Sequence, residues 1–212
     1  MCATGFGTAG MVLVAAAALA ACGGKKDGKG DGAGGKGGAK ADPQAELKAI
    51  GEKAGADANG KIPEELKGKL EFTAVLGEKD RHVALQPKGW EGGAIPGSVR
   101  PPDAAGLGFM TSYSTGSNCD GTCEAKDWPA TADKVEFAQF KGQDFTIQKD
   151  EKLESGRVLV AKTVDRTYVV AAMWKDGARR YFSCRATLDQ EVAAAAPAFE
   201  AACRALKVLT WD

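Results

Sequence analysis

The chain has 212 residues, and its 28 basic residues balance its 28 acidic residues. Without a basic excess there is no reason to expect nucleic acid as a partner, and no acidic block suggests a solvating tail. Once a leader and a linker are set aside, enough chain remains for one domain that buries its core without needing disulfides.

An apolar, alanine-rich run over residues 11–21 has the length of a signal peptide core and is too short to span a bilayer. It ends in Leu19-Ala20-Ala21-Cys22, in which an aliphatic residue and two small residues precede the cysteine. Small residues give a signal peptidase access to the bond before Cys22, whose thiol is the nucleophile that takes a diacylglycerol. The first ten residues contain no Lys or Arg, which departs from the usual basic start of a signal peptide.

This tetrapeptide resembles the lipobox of bacterial lipoproteins. The resemblance implies a signal peptide over 1–21, acyl chains such as palmitate on Cys22 and a stable membrane anchor, since two or three chains hold where one is marginal. Gly23 rather than Asp follows the cysteine, so the resemblance implies the outer membrane. We therefore expect a lipid-anchored protein of the cell envelope, with the membrane and an envelope protein or component as partners.

The residues after Cys22 are almost entirely Gly, Lys, Ala and Asp, so they cannot bury a core. The sequence therefore predicts a disordered linker over 22–43, whose ends are on the order of 25 Å apart as a flexible coil. Residues 44–212 are predicted to form one domain. Its remaining charge is mildly negative and indicates no particular partner.

In chain order, hydrophobic periodicity predicts the following elements. Up to residue 114 they are a helix from Pro43 with Leu47, Ile50 and Ala54 on one face, a hairpin from Leu70 to Trp90, a Gly/Pro-rich loop over 91–106 and a strand over 107–114. After residue 114 they are a helix from Trp128 to Phe140, four strands over 143–149, 157–163, 166–175 and 179–188, and a helix from Asp189 to Leu206. This order predicts an α+β fold, an antiparallel sheet with helices packed on one face.

The segment Asp57-Ala58-Asn59-Gly60 predicts a turn after the first helix. It also matches half of a calcium-binding loop. Gly55 and Leu66, however, stand where that loop needs its two anchoring carboxylates. We expect neither a metal ion nor a cofactor.

The last strand and the last helix carry cysteines on their apolar faces. In the strand, Cys184 shares one face with the apolar residues Phe182, Ala186 and Leu188. In the helix, Cys203 shares a face with Val192, Phe199 and Leu206. A Cys184–Cys203 disulfide is therefore predicted to tie the helix to the sheet. Thr187 and Gln190 have capping-box spacing, and Pro197 is expected to kink or split the helix.

That pairing leaves Cys119 with Cys123, which would close the small loop Cys-Asp-Gly-Thr-Cys. The alternative is redox or metal chemistry. Thiol oxidoreductases, however, separate their cysteines by two residues rather than three, and no nearby His completes a zinc set. A structural disulfide is the preferred interpretation.

Neither a Gly-x-Ser-x-Gly nor a His-Glu-x-x-His motif is present, and the only histidine, His82, is expected to be a solvated strand residue. The leading interpretation is a non-enzymatic docking or binding domain. The alternative is a periplasmic hydrolase, whose paired carboxylates could come from the region 103–127, with Asp103, Asp120, Glu124 and Asp127 as candidates.

Aromatic residues flank the irregular region between the hairpin and the second helix. Trp90, Tyr113 and Trp128 are the candidates for anchors of a binding surface there, together with Asp103 and Asp120. Aromatic residues beside loops are also common at the edges of a core, so both interpretations stay open at this point.

At Leu85-Gln86-Pro87-Lys88-Gly89-Trp90 the chain resembles the Pro-x-Gly-Trp turn of PsbP-like proteins. The later order of a helix, antiparallel strands and a packed C-terminal helix is similar to that family over about residues 70–207. That family includes extrinsic subunits of the oxygen-evolving complex and a Ran-binding nuclear-transport protein. The resemblance implies docking and assembly rather than catalysis, and it assigns no functional residue.

Overall fold

The structure is a computed structural model that describes residues 43–77, 82–93, 97–119 and 127–208. Antiparallel strands and helices make up the fold, which confirms the predicted α+β class. The helices are α1 (Pro43–Gly60), α2 (Trp128–Ala132) and α3 (Ala196–Arg204). The strands are β1 (Phe72–Leu76), β2 (His82–Pro87), β3 (Glu91–Gly92), β4 (Ser98–Arg100), β5 (Ser112–Asn118), β6 (Thr146–Leu153), β7 (Gly156–Lys162), β8 (Arg166–Met173), β9 (Tyr181–Asp189) and β10 (Lys207–Val208).

Within the described residues, the strands form two antiparallel sheets. Seven of them are ordered β3-β4-β5-β9-β8-β7-β6, and the other three form a small sheet ordered β1-β2-β10. The four strands predicted over 143–188 are confirmed as β6 to β9. The predicted hairpin near residue 70 is confirmed as β1 and β2, in which Phe72 pairs with Pro87. In the described part of the chain, no helix has both the length and the apolar character that a membrane span requires.

Apolar side chains pack on both faces of the larger sheet. On one face, β7, β8 and β9 share a core with α3, the small sheet and the end of α1. On the other face, the helical segment 128–141 covers β7 and β8, where Phe137 and Phe140 share a core with Leu159 and Val170. This segment confirms the helix predicted from Trp128. The covered second face is an addition to the predicted arrangement.

The segment 128–141 changes pitch along its length. It passes from α2 into a π-helix, Asp133–Phe137, and then into a 3-10 turn, Ala138–Lys141. The Asp127 side chain caps its start, because its Oδ1 accepts a hydrogen bond from the Ala130 N–H at 3.1 Å. A π-turn inserts an extra residue into a helix, and such turns recur at functional sites.

Helix α1 packs on the small sheet. Leu47 is fully buried, whereas Ile50 and Ala54 of the predicted face are only partly buried. Gly51 lies at the closest approach, since a Cβ atom there would come 2.5 Å from the Cβ of Ala74. A side chain at this position would push the helix away from the strand.

The turn predicted at 57–60 is wrong, because these residues complete the last turns of α1. The Asn59 side chain ties the helix to β1. Its amide nitrogen donates to the Phe72 carbonyl at 3.0 Å, and its amide oxygen accepts from the Phe72 N–H at 2.7 Å. Asp57 pairs with Lys61 at 2.7 Å on the surface. We therefore assign structural roles to both side chains of the half calcium loop.

The substitution Asn59→Ala is expected to lower the free energy of unfolding by about 2 kcal/mol, because two hydrogen bonds are lost and the Phe72 backbone loses its partner. Asp57→Ala is the matched control and should change stability by less than about 0.5 kcal/mol, since its ion pair is exposed. Urea denaturation measures both variants. Equal stabilities would contradict the role assigned to Asn59.

The C-terminal helix is shorter than predicted. Strand β9 runs to Asp189, so Thr187 lies in the sheet and the predicted capping box with Gln190 is wrong. A 3-10 turn, Ala193–Ala195, leads into α3, whose first turn holds Pro197. Of the two outcomes predicted for Pro197, a kink inside one continuous helix is wrong. The chain forms a separate 3-10 turn followed by α3, and Pro197, which has no N–H, is well placed in the first turn of α3.

The disulfide predicted between β9 and the C-terminal helix is confirmed. Cys184 and Cys203 are bonded, with their Cα atoms 5.3 Å apart. The apolar faces predicted for the strand and for the helix are both buried. Cys119 is disulfide-bonded as well. Cys123 and Cys22 lie outside the described residues, so the Cys119–Cys123 pairing and the lipidation stay predictions.

The region between β2 and β5 differs from its prediction. The predicted loop 91–106 contains the short strands β3 and β4, which extend the large sheet beyond β5. The predicted strand 107–114 is wrong in its first half, and β5 begins five residues later. Leu107 begins an apolar alternation, but Gly106 and Gly108 have φ values of 61° and 84°, which turn the backbone.

Candidate functional site

Three strongly exposed apolar side chains lie at one end of the large sheet. Phe109 is 77% exposed, Met110 47% and Val164 97%. The first two precede β5, and Val164 lies in the turn between β7 and β8. The first segment hydrogen-bonds to Asp189, the last residue of β9, and the second to Gln190, which directly follows it. We call these three residues, together with Arg100, the Phe109 surface.

The backbone around Phe109 is held firmly although its side chain is exposed. The Met110 N–H donates to Oδ2 of Asp189 at 2.8 Å, and the Asp189 N–H donates to the Thr111 hydroxyl at 3.1 Å. Leu107 and Thr111 are both buried, so the loop is anchored on either side of its exposed tip. Phe109 is therefore presented on a fixed turn.

Gly108 makes this turn possible. Its φ of 84° lies in the left-handed region, and a Cβ atom at this position would come 2.5 Å from the Cβ of Asp189. A larger residue would meet both backbone strain and a steric clash. The close approach of Gly108 to Asp189 is what lets the Met110 N–H reach the carboxylate.

The turn that carries Val164 is also braced. The Thr163 N–H donates to the Arg166 carbonyl at 2.9 Å, and the Arg166 N–H donates to the Thr163 hydroxyl at 3.2 Å. The Thr163 hydroxyl donates to Asp165 and lowers the pKa of that carboxyl, with a further contribution from Arg166. The Gln190 side chain donates to the Val164 carbonyl at 3.1 Å, which joins this turn to the residue that directly follows β9.

Arg100 lies beside the Phe109 ring. Its guanidinium carbon lies 5.6 Å from the ring centroid, within the range of a cation–π contact. One of its nitrogens lies 3.6 Å from Asp103, whose side chain is 83% exposed. Two shallow depressions of about 300 and 490 Å³ share this rim, and their common lining residues are Arg100, Pro101, Pro102 and Asp103.

The three aromatic residues predicted to anchor a surface are instead core residues. Trp90 is 4% exposed, and Tyr113 and Trp128 are each 1% exposed. Trp128 donates from its indole nitrogen to the Ala178 carbonyl at 2.6 Å. Tyr113 donates to the Leu85 carbonyl at 2.8 Å, and burial raises the pKa of its phenol. The Tyr113 hydroxyl and the Trp128 indole nitrogen thus donate inward, whereas the Trp90 indole nitrogen is buried without a hydrogen-bond partner among the described residues. All three side chains are buried, so they do not form a binding surface.

The acidic residues proposed for the hydrolase alternative do not share one role in the structure. Asp103 lies on the rim of the Phe109 surface beside Arg100, and Asp127 caps α2. Asp120 and Glu124 lie outside the described residues. The two acids that the structure does describe thus have structural partners of their own.

The expectation that His82 is solvated is wrong. His82 is 8% exposed, and its ring centroid lies 4.8 Å from that of Phe182. Within residues 43–77, 82–93, 97–119 and 127–208, no three His, Cys, Asp or Glu side chains are grouped as a metal site would require.

Sequence reasoning missed all four residues of the Phe109 surface. The local signal was the pair of glycines around Leu107, because Gly-x-Gly favours a tight turn, but this pattern does not predict whether the ring that follows is exposed. The hydrogen bonds of Asp189 to this turn span 78 and 79 residues, and no local pattern predicts them.

No protein-family model and no curated protein matches the chain. Among solved structures, the chain is similar to the Ran-binding protein Mog1p of Saccharomyces cerevisiae, determined at 1.9 Å resolution. The TM-score is 0.42 at 8% sequence identity, and the match covers 66% of this chain and 96% of that chain. A similarity at this level carries no statement about a partner or an activity.

Proposed function

We propose that this chain is a lipid-anchored protein of the cell envelope whose α+β domain docks onto a partner protein and catalyses no reaction. The observation that carries the docking proposal is the presentation of Phe109, which is 77% exposed on a turn fixed by Asp189. The lipobox at Leu19–Cys22 supports the anchor, and Gly23 supports the outer membrane.

The composition of the Phe109 surface fits a docking site. Aromatic and Arg side chains contribute most of the binding energy in many interfaces, especially when flanked by other apolar groups. A fixed turn also loses little conformational entropy on binding, which leaves more of the contact energy for affinity. We therefore expect Phe109 to insert into an apolar recess of the partner.

The charges around this surface support contact led by the apolar side chains. Arg100 lies beside Asp103, and Arg166 lies 3.8 Å from Asp165 and 3.6 Å from Asp189. Each cation thus has an acidic neighbour within the chain. We therefore do not expect electrostatic attraction to a highly charged partner to dominate binding at the Phe109 surface.

Photo-crosslinking in the native cell tests the docking proposal. A photoreactive phenylalanine analogue replaces Phe109 in one strain and Val135 in a second. Val135 is the matched control because it is also an apolar side chain, 46% exposed, on the helical segment 128–141. We expect one dominant crosslinked protein from position 109 and none from position 135.

The same partner should bind Phe109→Ser at least about 30-fold more weakly, the effect expected of a central aromatic anchor. Equal crosslinking from both positions, or unchanged affinity of Phe109→Ser, would contradict the proposal. Labelling the cells with radioactive palmitate tests the anchor separately. Label is expected in the wild-type chain and absent from Cys22→Ser.

A further inference from the structure

The sheet face opposite α3 is polar where the segment 128–141 does not cover it. Residues of β5 and β9 lie directly opposite each other there and are all partly exposed. We call them the polar shelf, and they are Ser112, Ser114, Gly116, Ser183, Arg185 and Thr187. Among the described residues, no atom lies within 4 Å of a Cβ atom placed at Gly116, so these residues leave the shelf open above this position.

A buried carboxylate lies at the edge of the shelf. Glu136, in the π-helix, has a side chain that is only 6% exposed. One of its oxygens accepts from the Tyr181 hydroxyl at 2.9 Å and from the Asn118 amide at 3.3 Å. The other accepts from Nη2 of Arg185 at 3.1 Å. Both oxygens are thus engaged, and Glu136 holds the guanidinium in place.

Most N–H groups of the Arg185 guanidinium have no acceptor among the described residues. A guanidinium carries five N–H donors in a planar fork. In the part of the chain that the structure describes, only Nη2 donates, to the Glu136 carboxylate and to its backbone carbonyl. The side chain is 36% exposed, and Ser114 lies directly opposite it across the two strands.

We propose that the polar shelf binds a carboxylate, with Arg185 as its anchor and the Ser114 hydroxyl as a second donor. A carboxylate matches the planar fork of a guanidinium through two parallel hydrogen bonds. The nearby Glu136 already balances one charge, which favours a monoanion over a phosphate dianion. Glu136 acts here as a positioning residue, because it fixes the orientation of Arg185.

The carboxylate could belong to a small free acid or to an acidic side chain of a protein. Titration of the full-length chain in detergent, followed by amide NMR, separates these sources. The probes are sodium acetate for the free acid and N-acetyl-glutamic acid amide for the side chain, with sodium chloride as the ionic-strength control. We expect saturable shifts of the Ser114, Gly116 and Arg185 signals with at least one of the two carboxylates and not with chloride.

Two variants complete the test. Arg185→Gln should abolish the saturable shifts, and Ser114→Ala should weaken binding roughly ten-fold, as the loss of one hydrogen bond to an ionised carboxylate would. Gly116→Val fits the fold because the described residues leave space open above Gly116, and the larger side chain should block the shelf. It therefore keeps the test decisive even if Arg185→Gln folds poorly. Binding by Phe109→Ala should equal wild type, so failure here is separable from failure of the docking proposal.

Shifts that follow chloride equally, or binding that survives Gly116→Val, would overturn the carboxylate site. A preference for acetate over the glutamate amide would assign the shelf to a small free acid. The reverse preference would assign it to an acidic segment of a protein.

Discussion

Replacing Trp128 by alanine is expected to lower the free energy of unfolding by about 3–5 kcal/mol, whereas Phe109→Ala should change it by less than about 0.5 kcal/mol. Trp128 is 1% exposed and shares a core with Phe137 and Tyr181, so its removal leaves a cavity under the segment 128–141. Phe109 is 77% exposed and supports no core. Urea denaturation of both variants measures the difference.

Trp128→Phe serves as the control for cavity size. It keeps an aromatic ring in the core but loses the hydrogen bond to the Ala178 carbonyl, so we expect an intermediate loss of about 1–2 kcal/mol. A near-neutral Trp128→Ala would mean that the residue is a surface anchor after all. A large loss in Phe109→Ala would mean that its ring is structural, which would remove the basis of the docking surface.

The elements that the sequence predicts best are those with a strictly local signal. The strands β6 to β9 follow one another through short turns, and their side chains alternate between two faces. The Cys184–Cys203 bond follows from the same alternation, because each cysteine lies on the apolar face of its own element. Local periodicity suffices where neighbouring elements in the chain are also neighbours in space.

The candidate site depends on contacts that periodicity does not encode. Trp90 and Trp128 flank irregular segments in the sequence, yet both rings point into a core. Phe109 lies in what reads as a strand, yet Gly108 and Asp189 turn it outward. Whether an aromatic residue beside a loop is buried is decided by the elements that pack over it, and these come from distant parts of the chain.

The C-terminal helix differs from its prediction for a related reason. The segment from Asp189 onward is rich in alanine and helical in composition, so local propensity places the helix start there. Pairing with β8 instead keeps Asp189 in β9. Tertiary pairing overrides propensity at this point, and Pro197 then marks the true start of α3.

Removal of the disulfide with the double variant Cys184→Ala/Cys203→Ala is expected to lower the free energy of unfolding by about 3 kcal/mol. The bond closes a sequence separation of 19 residues, and in the chain-entropy model its loss frees the unfolded chain by about that amount. Urea denaturation measures the loss. Reductant should destabilise the wild-type chain by at least this amount, because it also breaks the bond of Cys119. A variant as stable as wild type would contradict the prediction.

The variant should still fold, because α3 has other attachments to the sheet. Phe199 is fully buried beside Phe72, with ring centroids 5.0 Å apart. Arg204 pairs with Glu151 of β6 and lowers the pKa of that carboxyl through its hydrogen bond. Hydrogen exchange should therefore speed up in α3 more than in β8. A uniform increase would mean that the bond stabilises the whole domain at once, and that α3 does not open on its own. Asp189, which holds the turn of Phe109, lies in β9 and not in α3. Loosening that is confined to α3 should therefore leave this turn intact and partner binding unchanged.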